Sequence, residues 1–305
     1  MTHCRRRLAP ALTLALGLVL TAVAAPAETQ ADKLFLWRVQ AGGTTSYLMG
    51  SIHLMKEGMY PLDPVVERAF ARADVLVLEL DPAAVDHGKM MRLMQTRGMY
   101  PAGKSIRDDL DPEVYSMLQT EAGKLGLPMV AVQRMRPGLA TISITTAKLM
   151  KLGYKPEHGV DNYFTKKKGS KKVVGLETME EQMELIFGMP NDSLLMKQTL
   201  VELKDMEEVM DKTVAAWEEG DTATLKQLMF TRPLKEHPEL APVYKRVFSD
   251  RNATMAQKIE KLLNKEQSHF IVVGAGHLLR ADGIIALLNK AGSYTVEQLE
   301  PRADR

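Results

Sequence analysis

Apolar positions fall into short runs that alternate with stretches of helical period. Leu34 to Gln40 and Ser46 to Met49 flank Gly42-Gly43 and read as a β-hairpin, because a glycine pair suits a tight turn. Val75-Leu76-Val77-Leu78 is the continuous aliphatic run of a strand covered on both faces, and it ends in Glu79-Leu80-Asp81-Pro82. Pro128 to Val132, Lys172 to Glu177, His269 to Val273 and Tyr294 to Leu299 are further strand signals. Helical periodicity covers Pro64 to Arg72, Ala83 to Arg97, Pro112 to Leu125, Pro137 to Lys168 with an interruption near Gly153 to Pro156, and Gly283 to Ala291. It also dominates Met179 to Leu263, broken at Gly188-Met189-Pro190, Gly220-Asp221 and Pro233.

Strands alternating with helices predict an α/β fold: a mixed, largely parallel central sheet with flanking helices and a helical cap insert over about residues 179–263. No Ser/Gly/Pro-rich linker interrupts the chain, so residues 28–305 are expected to form one domain. Two strands finish alike, at Gly50-Ser51-Ile52-His53-Leu54 and at Gly274-Ala275-Gly276-His277-Leu278. Both histidines are therefore expected at strand ends on the carboxyl edge of the sheet, where ligands collect in open α/β folds. Residues so distant in sequence meet only if the chain folds back, which makes their meeting a tertiary expectation.

Composition narrows this picture. Residues 1–27 carry Arg5, Arg6 and Arg7, an apolar stretch from Leu8 to Ala25, and a small-residue end, Ala25-Pro26-Ala27. That is the order of a secretory signal peptide, so export to the periplasm or beyond is expected, with no stable membrane span after cleavage. The single cysteine, Cys4, lies within that segment, leaving residues 28–305 without disulfides or thiolate ligands. Removing the three arginines turns the formal charge of +2 into −1, which gives nucleic acid no electrostatic footing. The basic cluster Lys166 to Lys168 with Lys171 and Lys172 reads as a solvated helix-to-strand connection. Among the 20 methionines, Met90, Met91, Met94 and Met99 read as flexible core filling rather than soft-metal ligands.

Four polar side chains end apolar strands: His53, Glu79, Glu177 and His277. Neutral imidazole and carboxylate suit a borderline divalent ion, and two histidines with one carboxylate leave positions open for water or substrate. An ion so held activates water without a protein nucleophile. Glu177 has an alternative as a helix-start residue ahead of Thr178, and Asp81 before Pro82 reads as a helix cap. Arg251, Arg134 and Arg136 are cationic candidates for a substrate carboxylate or oxyanion. His87, His158, His237 and His269 show no ligand spacing and are expected to be exposed or locally bonded. Gly274-Ala275-Gly276 lacks the third glycine of a dinucleotide fingerprint, and neither His-Glu-x-x-His nor Gly-x-Ser-x-Gly occurs.

The set Gly50-Ser51-Ile52-His53, Glu79-Leu80-Asp81, Gly159-Val160-Asp161, Gly175-Leu176-Glu177-Thr178 with Glu181-Gln182, Arg251-Asn252, and Gly274 to Leu278 followed by Gly283 resembles the TraB/GumN family, from about Leu34 to Leu299. The ordered pair of Gly-x-x-His motifs is the specific part. That family is similar to the Tiki proteases of animals and, more distantly, to erythromycin esterases and ChaN-like proteins. The resemblance implies an α/β fold and metal-dependent hydrolysis, with peptide cleavage in Tiki. Carried over, it makes His53, Glu79 and His277 the expected site, with Glu177 and Arg251 in second rank; in the hydrolase so expected the first three bind a divalent ion (Mn, Co or Zn), with Glu177 as general base and Arg251 as oxyanion partner. The expected partner is a peptide or small-molecule substrate. The alternative is a non-catalytic periplasmic protein whose imidazoles hold haem, a metal or another ligand.

Overall fold

The computed structural model describes residues 33–190 and 192–301, and the expected signal segment lies outside them. Six strands form one sheet: β1 (Leu36–Ala41), β2 (Thr44–Ser51), β3 (Val75–Leu80), β4 (Lys172–Glu177), β5 (His269–Gly274) and β6 (Thr295–Gln298). Their order across the sheet is β4-β3-β5-β2-β1-β6. Only β1 runs against its neighbours; β2, β3 and β4 are tied to one another through parallel pairing with β5 and β3. The predicted α/β architecture with a mixed, largely parallel sheet is what the chain adopts. Among the described residues no helix is long and apolar enough to cross a membrane.

Periodicity located these strands because their burial is nearly complete. All six residues of β5 are buried, and Phe270, Ile271, Val272 and Val273 are at most 1% exposed. Burying a side chain of that size is worth about 1.5–3 kcal/mol, which explains the aliphatic runs at the centre of the sheet. Helices cover both faces, as a parallel sheet requires. Trp217, at the end of the Met206–Glu218 helix, donates its indole N–H to the Gly50 carbonyl at 2.7 Å and so ties the long helical insert to β2.

A second apolar cluster lies apart from the sheet core. It joins Val114 and Leu118 of the Pro112–Lys124 helix, Ile144 of the Pro137–Lys151 helix, and Met196 and Leu200 of the Asp192–Glu202 helix. Met255 and Ile259 of the Asp250–Leu263 helix belong instead to the sheet core. Helices from both sides of β4 thus build this second cluster, while other parts of residues 179–263 brace the sheet.

Three local expectations are corrected. Pro128 to Val132 is a short helix, Met129–Val132, and not a strand: the Pro128 carbonyl accepts from the Ala131 and Val132 amides, and Val130 is 69% exposed. Short apolar runs do not separate strand from helix by pattern alone. The helix expected over Ala83 to Arg97 begins only at His87, because Asp86 caps it through the Lys89 amide. Met90, Met91, Met94 and Met99 lie outside the buried core, with Met91 49% exposed, so core filling does not describe them.

Candidate functional site

Parallel register brings the two motifs together. Ser51 pairs with Gly274 between β2 and β5, so both chains leave the sheet side by side and His53 and His277 follow at the same edge. Leu78 of β3 pairs with Val272 of β5, and Leu80 pairs with Glu177 of β4, which delivers both carboxylates there as well. At Gly274 a Cβ would stand 3.2 Å from Glu79 Oε1, 3.3 Å from His53 Nε2 and 3.5 Å from the His277 ring. The absent side chain is therefore the space on which the three groups converge. All five sequence-predicted site residues gather at this edge.

Each side chain is held. The Gly274 amide donates to Glu79 Oε1 at 2.6 Å, and Arg251 Nη2 donates to Glu79 Oε2 at 2.9 Å. Arg251 also grips Glu177 with two bonds, Nε to Oε1 at 2.7 Å and Nη2 to Oε2 at 2.6 Å, while its Nη1 donates to the Val247 carbonyl at 3.2 Å. That carbonyl belongs to a π-helical segment, Lys245–Ser249, which leads directly into the Asp250–Leu263 helix. Such widened turns recur at functional sites because they release backbone acceptors and re-aim side chains. All three guanidinium nitrogens of Arg251 are thereby engaged, and Glu177, 8% exposed, is committed to Arg251 and Gln182. Thr178, not Glu177, caps the following helix, completing a capping box with Glu181. Arg251 thus holds Glu79 and Glu177 in place, and four of its five N–H donors are in use.

The histidines occupy different surroundings. His53 faces a cleft of about 470 Å³ with its side chain 53% exposed, whereas His277 lies behind Glu79 with 3% exposure, against Phe248 and away from the cleft lining. His53 Nδ1 bonds Asp161 Oδ1 at 3.1 Å, and Ser51 Oγ donates to the same oxygen at 2.8 Å. His277 Nδ1 meets Asn252 Oδ1 at 2.6 Å, and Asn252 Nδ2 donates to the Asp282 carbonyl at 2.9 Å. Because that carbonyl only accepts, the orientation of the Asn252 amide is set and His277 carries its proton on Nδ1. Its Nε2 stands 3.7 Å from Glu79 Oε1, beyond hydrogen-bond length.

Electrostatics separates the two rings. Burial lowers the pKa of His53, but the hydrogen bond to Asp161 and the charges of Glu79 and Asp161 outweigh it and raise the value to about 9. Burial lowers that of His277 to about 4, with Arg251 and His53 opposing the pull of Glu79. For Glu79 burial favours the neutral acid, yet the facing cations bring its pKa down to about 2. Since His277 is uncharged at neutral pH, His53 and Arg251 are the cations that keep Glu79 ionised there. The site at pH 7 thus combines an imidazolium, a neutral imidazole and a carboxylate.

Two predictions arise here. A histidine whose folded-state pKa is depressed contributes stability that is full above its unfolded value of 6.5 and lost as pH falls toward the folded value of about 4. Thermal melts from pH 7 to pH 4 are expected to show roughly a 5–10 °C greater decline in wild type than in His277→Asn, which has nothing to protonate. Asn252→Leu, which removes the acceptor at Nδ1, is expected to reduce activity or metal affinity by about 10–100-fold. Asn252→Asp keeps an acceptor and should recover most of it. Equal behaviour of the two variants would deny Asn252 a part in fixing the His277 tautomer.

Asp161 and Asn252 were not among the residues assigned to the site from sequence, although both lie within the motifs quoted for the resemblance. Gly159-Val160-Asp161 sits against the first histidine loop: a Cβ on Gly159 would come within 2.2 Å of the His53 carbonyl, and the Val160 amide donates to Ile52 O at 3.1 Å. The glycine was the available signal, since such close approach tolerates no side chain. Arg134 and Arg136 do not line the cleft; Arg136 stacks over Tyr100 at 5.0 Å. Of the remaining histidines, His269 departs from expectation, being buried at 1% exposure with no partner for Nδ1.

The donor chemistry fits a divalent ion in one respect: both imidazoles have Nδ1 held by an oxygen while Nε2 lies near Glu79, as in metal-binding histidines whose far nitrogen is fixed by a hydrogen bond. Among the described residues, however, no group of three or more His, Cys, Asp and Glu side chains is assembled as a ready cation cage.

Comparison with known proteins adds the lineage. The chain is 23% identical over 179 residues to "Uncharacterized protein YbaP" of Shigella flexneri, a match covering 58% of this chain and 65% of that protein. The Escherichia coli K12 protein of the same name is 22% identical over the same length and shares. The match thus spans just under two thirds of these relatives. No solved structure matches the chain. The profile of the TraB/PrgY/gumN family matches residues 35–298, from β1 to the end of β6, and with both Gly-x-x-His motifs at the carboxyl edge of one sheet the chain belongs to the TraB/PrgY/gumN family.

Proposed function

We propose that this protein is an exported, metal-dependent hydrolase acting on peptide bonds, with His53, Glu79 and His277 as the residues that would hold the ion. The observation carrying this reading is the convergence of the three groups on Gly274. When bound, a divalent ion would supply Lewis acidity and a water of lowered pKa. The chain supplies the rest. Asp161 and Asn252 orient the two rings, and Arg251 holds Glu79 and Glu177 side by side. Leu54, Leu78, Leu185 and Ile186 give the cleft an apolar wall that excludes water from one side of a bound substrate. His53, with its pKa of about 9, must give up a proton to become a ligand, so metal affinity falls as pH is lowered.

The protein is stripped with chelator and assayed on a library of peptides and esters before and after addition of Mn, Co or Zn. Activity that appears with metal and disappears in His277→Ala supports the reading. The Arg251–Glu79 ion pair favours a second reading, in which His53 imidazolium acts as an acid without metal. Activity indifferent to chelator yet abolished in His53→Ala would select it. Stoichiometric metal or a Soret band without turnover would select ligand binding instead. Export belongs to the same proposal and rests on residues 1–27; a mature N-terminus at Glu28, read by mass spectrometry, checks it.

A further inference from the structure

A side recess of about 210 Å³ shares Arg251 and Leu185 with the cleft and is lined also by Glu177, Glu181, Glu184, Asp250 and Arg246. Four carboxylates suggest a cationic ligand, but each is already engaged. Glu177 is held by Arg251, and Glu181 accepts the Thr178 amide at 2.7 Å. Glu184 takes a two-pronged pair from Arg97 at 2.8 and 2.9 Å, and Asp250 pairs with Lys245. Arg246 is the charge left over. Its one hydrogen bond goes from Nη2 to the backbone carbonyl of Glu184 at 3.0 Å, and its Nε is buried without an acceptor. Among the described residues no carboxylate lies within 4.0 Å of this guanidinium.

A half-buried guanidinium lacking a counterion has lost water on one side and gained no anion in exchange. Arginine presents a planar fork that matches a carboxylate, so an arriving anionic group recovers that loss at one step. Arg251 already faces two carboxylates, which with a backbone carbonyl take four of its five N–H donors, whereas Arg246 faces none. We infer that Arg246 is the anchor for a substrate carboxylate, and that the ligands of this site are short peptides or acyl amino acids with apolar side chains and a free acidic end. The apolar wall of the cleft takes the side chains, and the recess takes the charge. The inference rests on the hydrolase reading for the identity of the ligand as a substrate.

The test is a binding titration, which needs no turnover. Acetyl-leucyl-leucine and its C-terminal amide are titrated calorimetrically into the wild-type protein, Arg246→Gln and Arg246→Lys, with melts confirming that each variant is folded. The acid is expected to bind wild type at least about tenfold more tightly than the amide, as a charge-assisted pair provides. Arg246→Gln should erase that preference, and Arg246→Lys should retain part of it. Equal affinities in wild type, a preference that survives Arg246→Gln, or no binding of either compound overturns the inference. Preference for the acid in a protein that hydrolyses nothing would leave the anchor standing while the hydrolase reading falls. Hydrolysis of amide and acid with equal efficiency would do the reverse.

Discussion

Replacing His53 by alanine is expected to lower turnover by about 10²–10⁴-fold while moving the melting temperature by no more than a few degrees. The loss in rate follows from position: His53 is the histidine that faces the cleft, and its Nε2 lies 3.3 Å from the space over Gly274 where the other site groups converge. Small loss of stability follows from exposure. The ring is 53% exposed, so water replaces part of what its bond to Asp161 contributes to stability, and Ser51 continues to satisfy Asp161 Oδ1 after the change. Steady-state assays beside calorimetric melts separate the two effects. A variant with wild-type turnover would remove His53 from the chemistry under both the metal-dependent and the metal-free readings.

Arg251 should behave in the opposite way. Its guanidinium is 16% exposed and lies between carboxylates that are 11% and 8% exposed. Arg251→Met leaves two buried anions facing each other, and stranding buried charge in this way costs about 3–5 kcal/mol. For a chain of this size the melting temperature is expected to fall on the order of 10 °C. Arg251→Lys should restore only part, since an ammonium cannot reproduce the fork that bonds Glu177 twice and Glu79 once. Adding Glu177→Gln to Arg251→Met should recover stability by removing one of the repelling charges. If the double variant is no better than the single, the three side chains are not coupled as their distances indicate.

Much of this was legible in the residues. The hairpin, the aliphatic strands and the twin Gly-x-x-His ends are local patterns, and local patterns report burial and turn geometry directly. The candidate histidines and glutamates were legible too, because a polar group closing an apolar strand is unusual wherever the strand is placed. Pro128 to Val132 failed as a strand because five apolar residues carry no period that tells sheet from helix. Asp161 and Asn252 were missed for a different reason: each acts by facing a histidine distant in sequence, and only Gly159, beside Asp161, hints at such an approach.

By itself the sequence determined where the six strands of the sheet lie, which residues end them, and that two imidazoles leave the chain in the same local setting, since these follow from hydrophobic period and backbone freedom. Only the tertiary structure decided that the imidazoles differ, one open to the cleft and protonated, the other buried and neutral. It also decided that Arg251 is consumed in holding two carboxylates while Arg246 is left without an anion. The reason is that charge state and hydrogen-bond occupancy depend on neighbours brought in by parallel register between β2, β3, β4 and β5, at distances of a few ångströms that no spacing along the chain encodes.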